Sequence, residues 1–271
     1  METSELLYAV QHIRRMRGGS QAHLIRASDN NLYVVKFQNN PQHIRVLASE
    51  YLGSRLGSFL GLPMPEVRII EVSEWLITNT PALHIEIGSI SIPCTPGQQL
   101  ASRYVSDPED HHIFDYLPDA IFQRLLNRDD FARVLAFDKW TCNTDGRQAV
   151  FVKHRKDRAY RAILVDQGFC FNAGEWTFPD QPLRGVYARN SAYTTVTGWA
   201  SFEPVLSRIE QIQGSDLEEL TGSIPSRWYE EDQSGLSQLV EALLSRRAIV
   251  RDLITSFRKS LRTPFPNWLD A

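Results

Sequence analysis

Asp145 and Asp166 are the residues of this chain whose type and setting point most directly to chemistry. Asp145 sits in the polar run Asn143-Thr144-Asp145-Gly146-Arg147-Gln148, and Asp166 opens Asp166-Gln167-Gly168-Phe169 directly after the apolar run Ala162–Val165. One carboxylate from a loop and a second from the end of a strand is a layout that phosphoryl transfer uses. One acid stands beside the attacking hydroxyl, and the other holds Mg²⁺ against nucleotide phosphates. A polar loop wedged between apolar segments needs such a reason, because each buried polar group left unpaired costs about 1–3 kcal/mol.

Regular elements flank both acids. Phe131, Val134, Leu135 and Asp138 recur at helical spacing, and Asn127-Arg128-Asp129-Asp130 offers cap residues before them. Asn143 and Asp145 favour a turn, since their short polar side chains compete for backbone hydrogen bonds. Ala149–Val152 and Ala162–Val165 are short, apolar and β-rich, which predicts two buried strands joined across Lys153–Arg161.

Further upstream, Leu6–Ile13 and Leu24–Ala27 read as strands around Arg17-Gly18-Gly19-Ser20-Gln21-Ala22-His23. The glycine pair either lies over nucleotide phosphates or simply turns a hairpin; neither GxGxxG nor GxxxxGK[ST] is present. Leu32–Phe37 is the clearest strand. Lys36 within it is either a solvated edge residue or a point charge for the α/β-phosphates. From about 42 to 60, Ile44, Leu47, Ala48, Tyr51, Leu52, Leu56, Phe59 and Leu60 form a helical apolar stripe, stopped by Gly61-Leu62-Pro63. Glu50 lies next to that stripe, away from the open face that carries Arg45 and Arg55. It is either solvated or turned inward to Lys36, where each charge offsets the other's desolvation.

Pro65–Val72 predicts a strand, 73–79 a short helix and Leu83–Ile92 more strand. Pro93-Cys94-Thr95-Pro96-Gly97 then breaks the pattern and is expected to separate two lobes, 1–93 and 94–271, with its backbone available to an adenine edge. His111-His112 lack a second ligand pair and read as surface residues. The segment 172–196 is either a substrate-contacting loop or a plain connection. Helices are expected at 203–212, 215–221 and 236–259; in the last, Leu239, Leu243, Leu244, Ile249, Val250, Leu253, Ile254 and Phe257 mark the buried face.

Composition sets the outer bounds. With 271 residues, 42% hydrophobic and 23% charged, the chain has room for one large domain or two lobes around a cleft. A net charge of −3 gives no electrostatic case for nucleic acid or an anionic membrane as partner. Three scattered cysteines without a CxxC argue for reduced thiols and a cytoplasmic setting. The start METSELLYAV does not read as a signal peptide, and no apolar run approaches the ~20 residues that span a bilayer.

In order, the pieces are a glycine loop, strand lysine, helix glutamate, break, Asn-x-Asp loop, strand pair and Asp-x-Gly-Phe. This set resembles the HipA-like kinases of the protein-kinase-like and phosphatidylinositol-kinase-like superfamily, over roughly residues 15–260. FDKWTCNTDGRQAVF is similar to that family's catalytic loop, VDQGFCF to its DFG-type metal motif, and KFQNNPQHIRVLASEYLGSRLG to its strand lysine and following helix; IPSRWYEE fits one subgroup. The resemblance implies an α+β fold of two lobes, β-rich then mainly helical, with a nucleotide cleft between them. It implies ATP and Mg²⁺ as cofactors and Ser or Thr of a protein as phosphoacceptor. Asp145 would orient or deprotonate the acceptor, Asn143 brace the loop, and Asp166 bind the metal. Lys36 would hold the phosphates, with Glu50 positioning it, and Gly18, Gly19, Ser20 and Gln21 would cover the nucleotide. Ser20 would accept phosphate in autophosphorylation. Two departures matter. The metal-binding Asn expected five residues after Asp145 is Val150, which leaves Gln148 as the substitute ligand, and Gly146-Arg147 replaces the usual His, with Arg147 then meeting phosphate charge. An antitoxin-type partner is implied by the resemblance alone, and the extra N-terminal subdomain that would meet it has no counterpart in the sequence. The readings left open beside a protein kinase are a nucleotide-binding pseudokinase acting as an interaction module, a lipid or small-molecule kinase, and an AMP transferase.

Overall fold

Alternating strands dominate the N-terminal part of the computed structural model, which describes residues 6–105 and 111–269. The elements run β1 (Leu7–Arg15), β2 (His23–Ala27), β3 (Leu32–Lys36), α1 (Arg45–Phe59), β4 (Val67–Val72), α2 (Glu74–Thr78), β5 (His84–Ile87), β6 (Ile90–Pro93) and β7 (Gly97–Arg103). Five of these strands close into a barrel in the order β1-β2-β3-β7-β4, with β1 and β4 parallel and the other pairs antiparallel. Tyr33, Val35 and Phe37 point into the barrel core with Ile25, Ile70 and Ala101. Because successive strand residues face opposite sides, Lys36 leaves on the other face, towards α1.

The Pro93–Gly97 break does not end the strand-rich part. β5 and β6 form a separate hairpin, and after the break β7 returns to pair with both β3 and β4. The prolines interrupt the chain locally, but closing the barrel requires a strand that lies beyond them. Thr95 N–H is taken by Asn39 Oδ1 (3.1 Å) and Thr95 O by Gln99 Nε2 (2.7 Å), so this backbone is already used inside the N-terminal part. We propose that the boundary between lobes falls after Arg103.

The C-terminal part contains β8 (His111–Phe114), α3 (Asp119–Phe122), α4 (Asp130–Thr141), β9 (Gln148–His154), β10 (Arg161–Val165), α5 (Val205–Gln211), α6 (Gly214–Thr221), α7 (Gln233–Arg246) and α8 (Val250–Arg258). β9 and β10 pair antiparallel, and β8 joins as the third strand. α4 is the core helix, with Phe131, Val134, Leu135, Phe137 and Trp140 all buried. The expected single helix at 236–259 is interrupted by a tighter turn at Arg247–Ile249, where Arg247 Nε donates to Leu244 O (2.7 Å). The turn rotates the face, so that Val250, Ile254 and Phe257 are buried and Ile249 is exposed. The tail is part of the core as well: Phe265 packs against Phe257, Tyr193 and Phe202.

α1 belongs to both parts. Its apolar side shares the large C-terminal core, and its small residues Ser49, Gly53, Ser54 and Gly57 are buried too, so the helix is covered nearly all round. The side carrying Arg45 and Arg55 is not open. Arg45 pairs with Glu230 (3.0 Å) and Asp232 (3.1 Å), Arg55 donates to Leu220 O (3.1 Å), and Tyr51 packs edge-on against buried Trp228. Trp228 Nε1 in turn donates to Gln98 O on β7 (3.2 Å). Among the described residues no helix is long and apolar enough to cross a membrane.

Candidate active site

α4 ends at Cys142, which takes a left-handed conformation, and Asn143 N–H donates back to Asp138 O (2.9 Å). The loop that follows is built on a buried charge pair. Asp138 accepts from Arg147 Nε (2.9 Å) and Nη2 and from Asn143 Nδ2 (3.0 Å), while Arg147 Nη1 reaches Val165 O (3.1 Å) and Gln167 Oε1 (2.6 Å). Asn143 Oδ1 accepts Asp145 N–H (3.1 Å), so one asparagine links the helix end to the backbone of Asp145. Gly185 N–H donates to Asp145 O (3.1 Å) from across the loop. Only glycine fits there: φ is +66°, and a Cβ would stand 2.8 Å from Asp138 Cβ.

Thr144 N–H bonds Phe169 O (3.1 Å) and ties this loop to the one following β10. Asp166 holds a left-handed φ of +60°, which costs strain for a residue other than glycine and gathers at functional sites. Its Oδ1 lies 3.1 Å from Lys36 Nζ, and the same ammonium bonds Glu50 on α1. Burial pushes the Asp166 carboxyl up, but the Lys36 charge, its hydrogen bond and the Gly168 N–H outweigh burial and hold it below its ordinary value. Burial weakens the Lys36 ammonium's hold on its proton, but Glu50 and Asp166 outweigh burial and keep the group above its ordinary value. Gln148 Nε2 stands 3.3 Å from Asp145 Oδ2 and 3.3 Å from Asp166 Oδ2, so a single amide lies between the two carboxylates.

Above these groups is a cavity of about 510 Å³, lined from the barrel side by Arg17, Gly18, Gly19 and Ser20 and from below by Asp145, Gln148 and Asp166. Asp145 thus faces the glycine loop across the same space that Asp166 lines, and Lys36 sits behind Asp166, buried and paired with it.

A family of HipA-like kinases matches residues 9–253. The chain belongs to the HipA-like kinase family. Among solved structures, the Helicobacter pylori proinflammatory kinase CtkA is similar with a TM-score of 0.59 at 13% identity, covering 92% of this chain and 96% of that one. The Golgi casein kinase is similar at 0.52 and 12% identity (96% and 78% covered). HipA from a Shewanella oneidensis MR-1 complex with HipB and operator DNA is similar at 0.52 and 11% identity (96% and 67% covered). At such identities the likeness speaks for the fold, which is the protein-kinase-like one. No curated protein matches by sequence.

In this HipA-like kinase two of the residues expected to meet nucleotide are engaged elsewhere. Arg147 is a correction: its guanidinium is sealed under the loop and its donors are spent on Asp138, Val165 and Gln167, so it positions the loop from beneath and does not meet phosphate. Gln21 is the second, since its amide takes Glu86 N–H (2.7 Å) and donates to Glu86 O (2.6 Å), fixing the base of the glycine loop to β5. Gly18, Gly19 and Ser20 do line the cavity.

The residues that the spacing missed are Asp138, which anchors the loop, and Arg17, Gln42, Asn172 and Arg184, which line the cavity. A charge on the helix face marked by Phe131, Val134 and Leu135 was the available signal for Asp138. Asn172 lies in a run of three left-handed residues, Phe171 to Ala173, that nothing in their types announces.

The donor set suits a hard cation. Among the described residues no cluster of three or more His, Cys, Asp or Glu forms a protein cage for a metal. Mg²⁺ in phosphoryl-transfer sites is held by one or two carboxylates together with substrate phosphates, and Asp166 fits that demand; Gln148 turns its amide N–H₂ to Asp145 and Asp166, so it would ligate only with the amide reversed to present its oxygen. Val150, at the position expected to carry a metal-binding Asn, is a strand residue of β9 paired with Ile163.

Proposed function

We propose that this protein transfers the γ-phosphoryl group of ATP to the hydroxyl of a Ser or Thr on a protein. The observation that carries the reading is the linked set Glu50–Lys36–Asp166, with Asp145 joined to it through Gln148 beneath a glycine loop. Lys36, held as an ammonium by two acids, supplies a fixed positive charge for the α/β-phosphates. Asp166, kept ionised, would hold Mg²⁺, with Gln148 as second ligand once its amide turns to present the oxygen; the ion would supply charge neutralisation on the phosphates. Asp145 takes the proton of the acceptor hydroxyl as its oxygen attacks the γ-phosphorus. Its backbone is fixed from two sides, by Asn143 and Gly185, so little reorganisation is needed when the reaction occurs. A protein acceptor is supported by family membership and by a structural neighbour named for casein.

A second reading, nucleotide binding without transfer, is favoured by Val150, whose side chain cannot ligate a metal. Incubation with γ-labelled ATP under Mg²⁺ or Mn²⁺, with Asp145→Ala as control, separates the two. The transfer reading expects label on protein from the wild type and at least a 10²-fold loss in the variant. Label absent from both, with ATP still bound, selects the second reading. The mass of any product distinguishes phosphate from AMP.

A further inference from the structure

The loop from Pro179 to Gly185 is held against the catalytic loop by two buried cations, Lys139 and Arg246. Lys139, buried on α4, directs its ammonium at three backbone carbonyls: Gln181 O (3.3 Å), Pro182 O (2.9 Å) and Arg184 O (2.6 Å). Arg246, buried on α7, grips Asp180 with two hydrogen bonds (2.8 and 2.7 Å). Gly185 then bonds Asp145 O. Burying an ammonium and a guanidinium is costly unless they are fully satisfied, so a loop held this way has its position strongly specified.

That loop delivers Arg184 to the cavity. Its side chain is half-buried and lines the same space as Asp145, Gln148, Asp166 and Ser20. The guanidinium donates to Pro179 O (2.7 Å), and among the described residues no carboxylate pairs with it. Arg147, by contrast, has its donors occupied beneath the loop. A guanidinium carries five N–H donors in a planar fork that matches two oxygens of a phosphate.

We propose that Arg184 binds the terminal phosphoryl group of the nucleotide during transfer. The assignment rests on the phosphotransfer reading above and names the cation that acts at its reacting centre. In the step itself the acceptor oxygen forms a new bond to the γ-phosphorus and the bond to the β–γ bridging oxygen breaks. ADP leaves with that electron pair, and the acceptor proton passes to Asp145. Negative charge stays spread over the equatorial oxygens, and Arg184 offsets it from the C-terminal side while Lys36 serves the inner phosphates.

The test compares wild type, Arg184→Ala and Arg184→Lys in three measurements: binding of ATP and of ADP with Mg²⁺, the transfer rate, and thermal melting. The proposal expects Arg184→Ala to lower the rate about 10²–10³-fold. It should weaken ATP binding about tenfold while leaving ADP binding unchanged and the melting temperature within a few degrees, since the side chain makes one hydrogen bond to the fold, to Pro179, and among the described residues no ion pair. Arg184→Lys should recover part of the loss by charge alone. Equal weakening of ATP and ADP, or a rate and ATP affinity matching wild type, overturns the assignment and leaves the phosphotransfer reading standing. Wild type that binds ATP without transferring removes the phosphotransfer reading, and the ATP-over-ADP comparison still decides Arg184. Wild type that binds neither nucleotide removes both.

Discussion

Arg147→Met separates a loop-positioning arginine from a phosphate-binding one. In the wild type the Arg147 side chain is 1% exposed and Asp138 is 0% exposed, so the substitution leaves a buried carboxylate without its partner or solvent. Breaking a buried pair from one side costs about 3–5 kcal/mol. Gln167 Oε1 and Val165 O lose a donor as well, which pushes the total towards the upper end of that range. Against the roughly 5–15 kcal/mol that holds a typical domain together, this is a third or more. The double variant Asp138→Leu/Arg147→Met should regain most of the charge penalty. It should still fall about 1–3 kcal/mol short, because Asn143 Nδ2 loses its acceptor and the Asp145 loop loses its anchor. Urea unfolding followed by tryptophan fluorescence reads the stability, and ATP titration at low denaturant reads the site. If Arg147→Met stays within about 1 kcal/mol of wild type while losing ATP affinity, Arg147 meets phosphate and the anchoring argument is wrong.

Two other outcomes follow from the geometry. Gly185→Ala forces a side chain into a left-handed residue with a Cβ 2.8 Å from Asp138 and 3.0 Å from Asn143 O; it should cost about 2–4 kcal/mol and depress transfer, and unaltered urea midpoints would count against the tight packing of that loop. His23, buried inside the barrel, is lowered to about 4, by burial first and by neighbouring His12 next. Between its ordinary value of 6.5 and about 4 the unfolded chain therefore binds a proton that the folded chain refuses, so stability present above pH 6.5 is lost as pH falls through that window. His23→Gln should flatten this slope, as measured by unfolding midpoints across the same pH range.

The proposed site residues stood out in residue order because they sit at punctuation points. Asp145 follows a helix whose stop is marked by Asn and Gly, and Asp166 follows an apolar strand. Lys36 alternates with the inward-facing Tyr33, Val35 and Phe37, which places it opposite the barrel core. What failed to show depends on contacts between distant segments. Barrel closure by β7 is a pairing with β3 and β4 that no local pattern reports, and the prolines before it concealed the strand. The covered side of α1 carries Arg45 and Arg55, which look solvated until Glu230, Asp232 and the Leu220 carbonyl come to meet them. Arg147 stands nearest to Asp145 in sequence among the basic residues, yet its partner is one element back, on α4. Arg184 has no local signature at all; its place is set by Lys139 and Arg246 from two separate helices.

The central claim is that Lys36, Asp145 and Asp166 converge on one nucleotide. A crystal structure with Mn²⁺ and a non-hydrolysable ATP analogue tests it most directly, because the anomalous signal locates the metal independently of the phosphates. The account expects the metal on Asp166 with Gln148 beside it, the inner phosphates on Lys36, and the terminal phosphate facing Asp145 beneath Gly18–Ser20. A nucleotide bound outside this cavity, or a metal that does not touch Asp166, would contradict it.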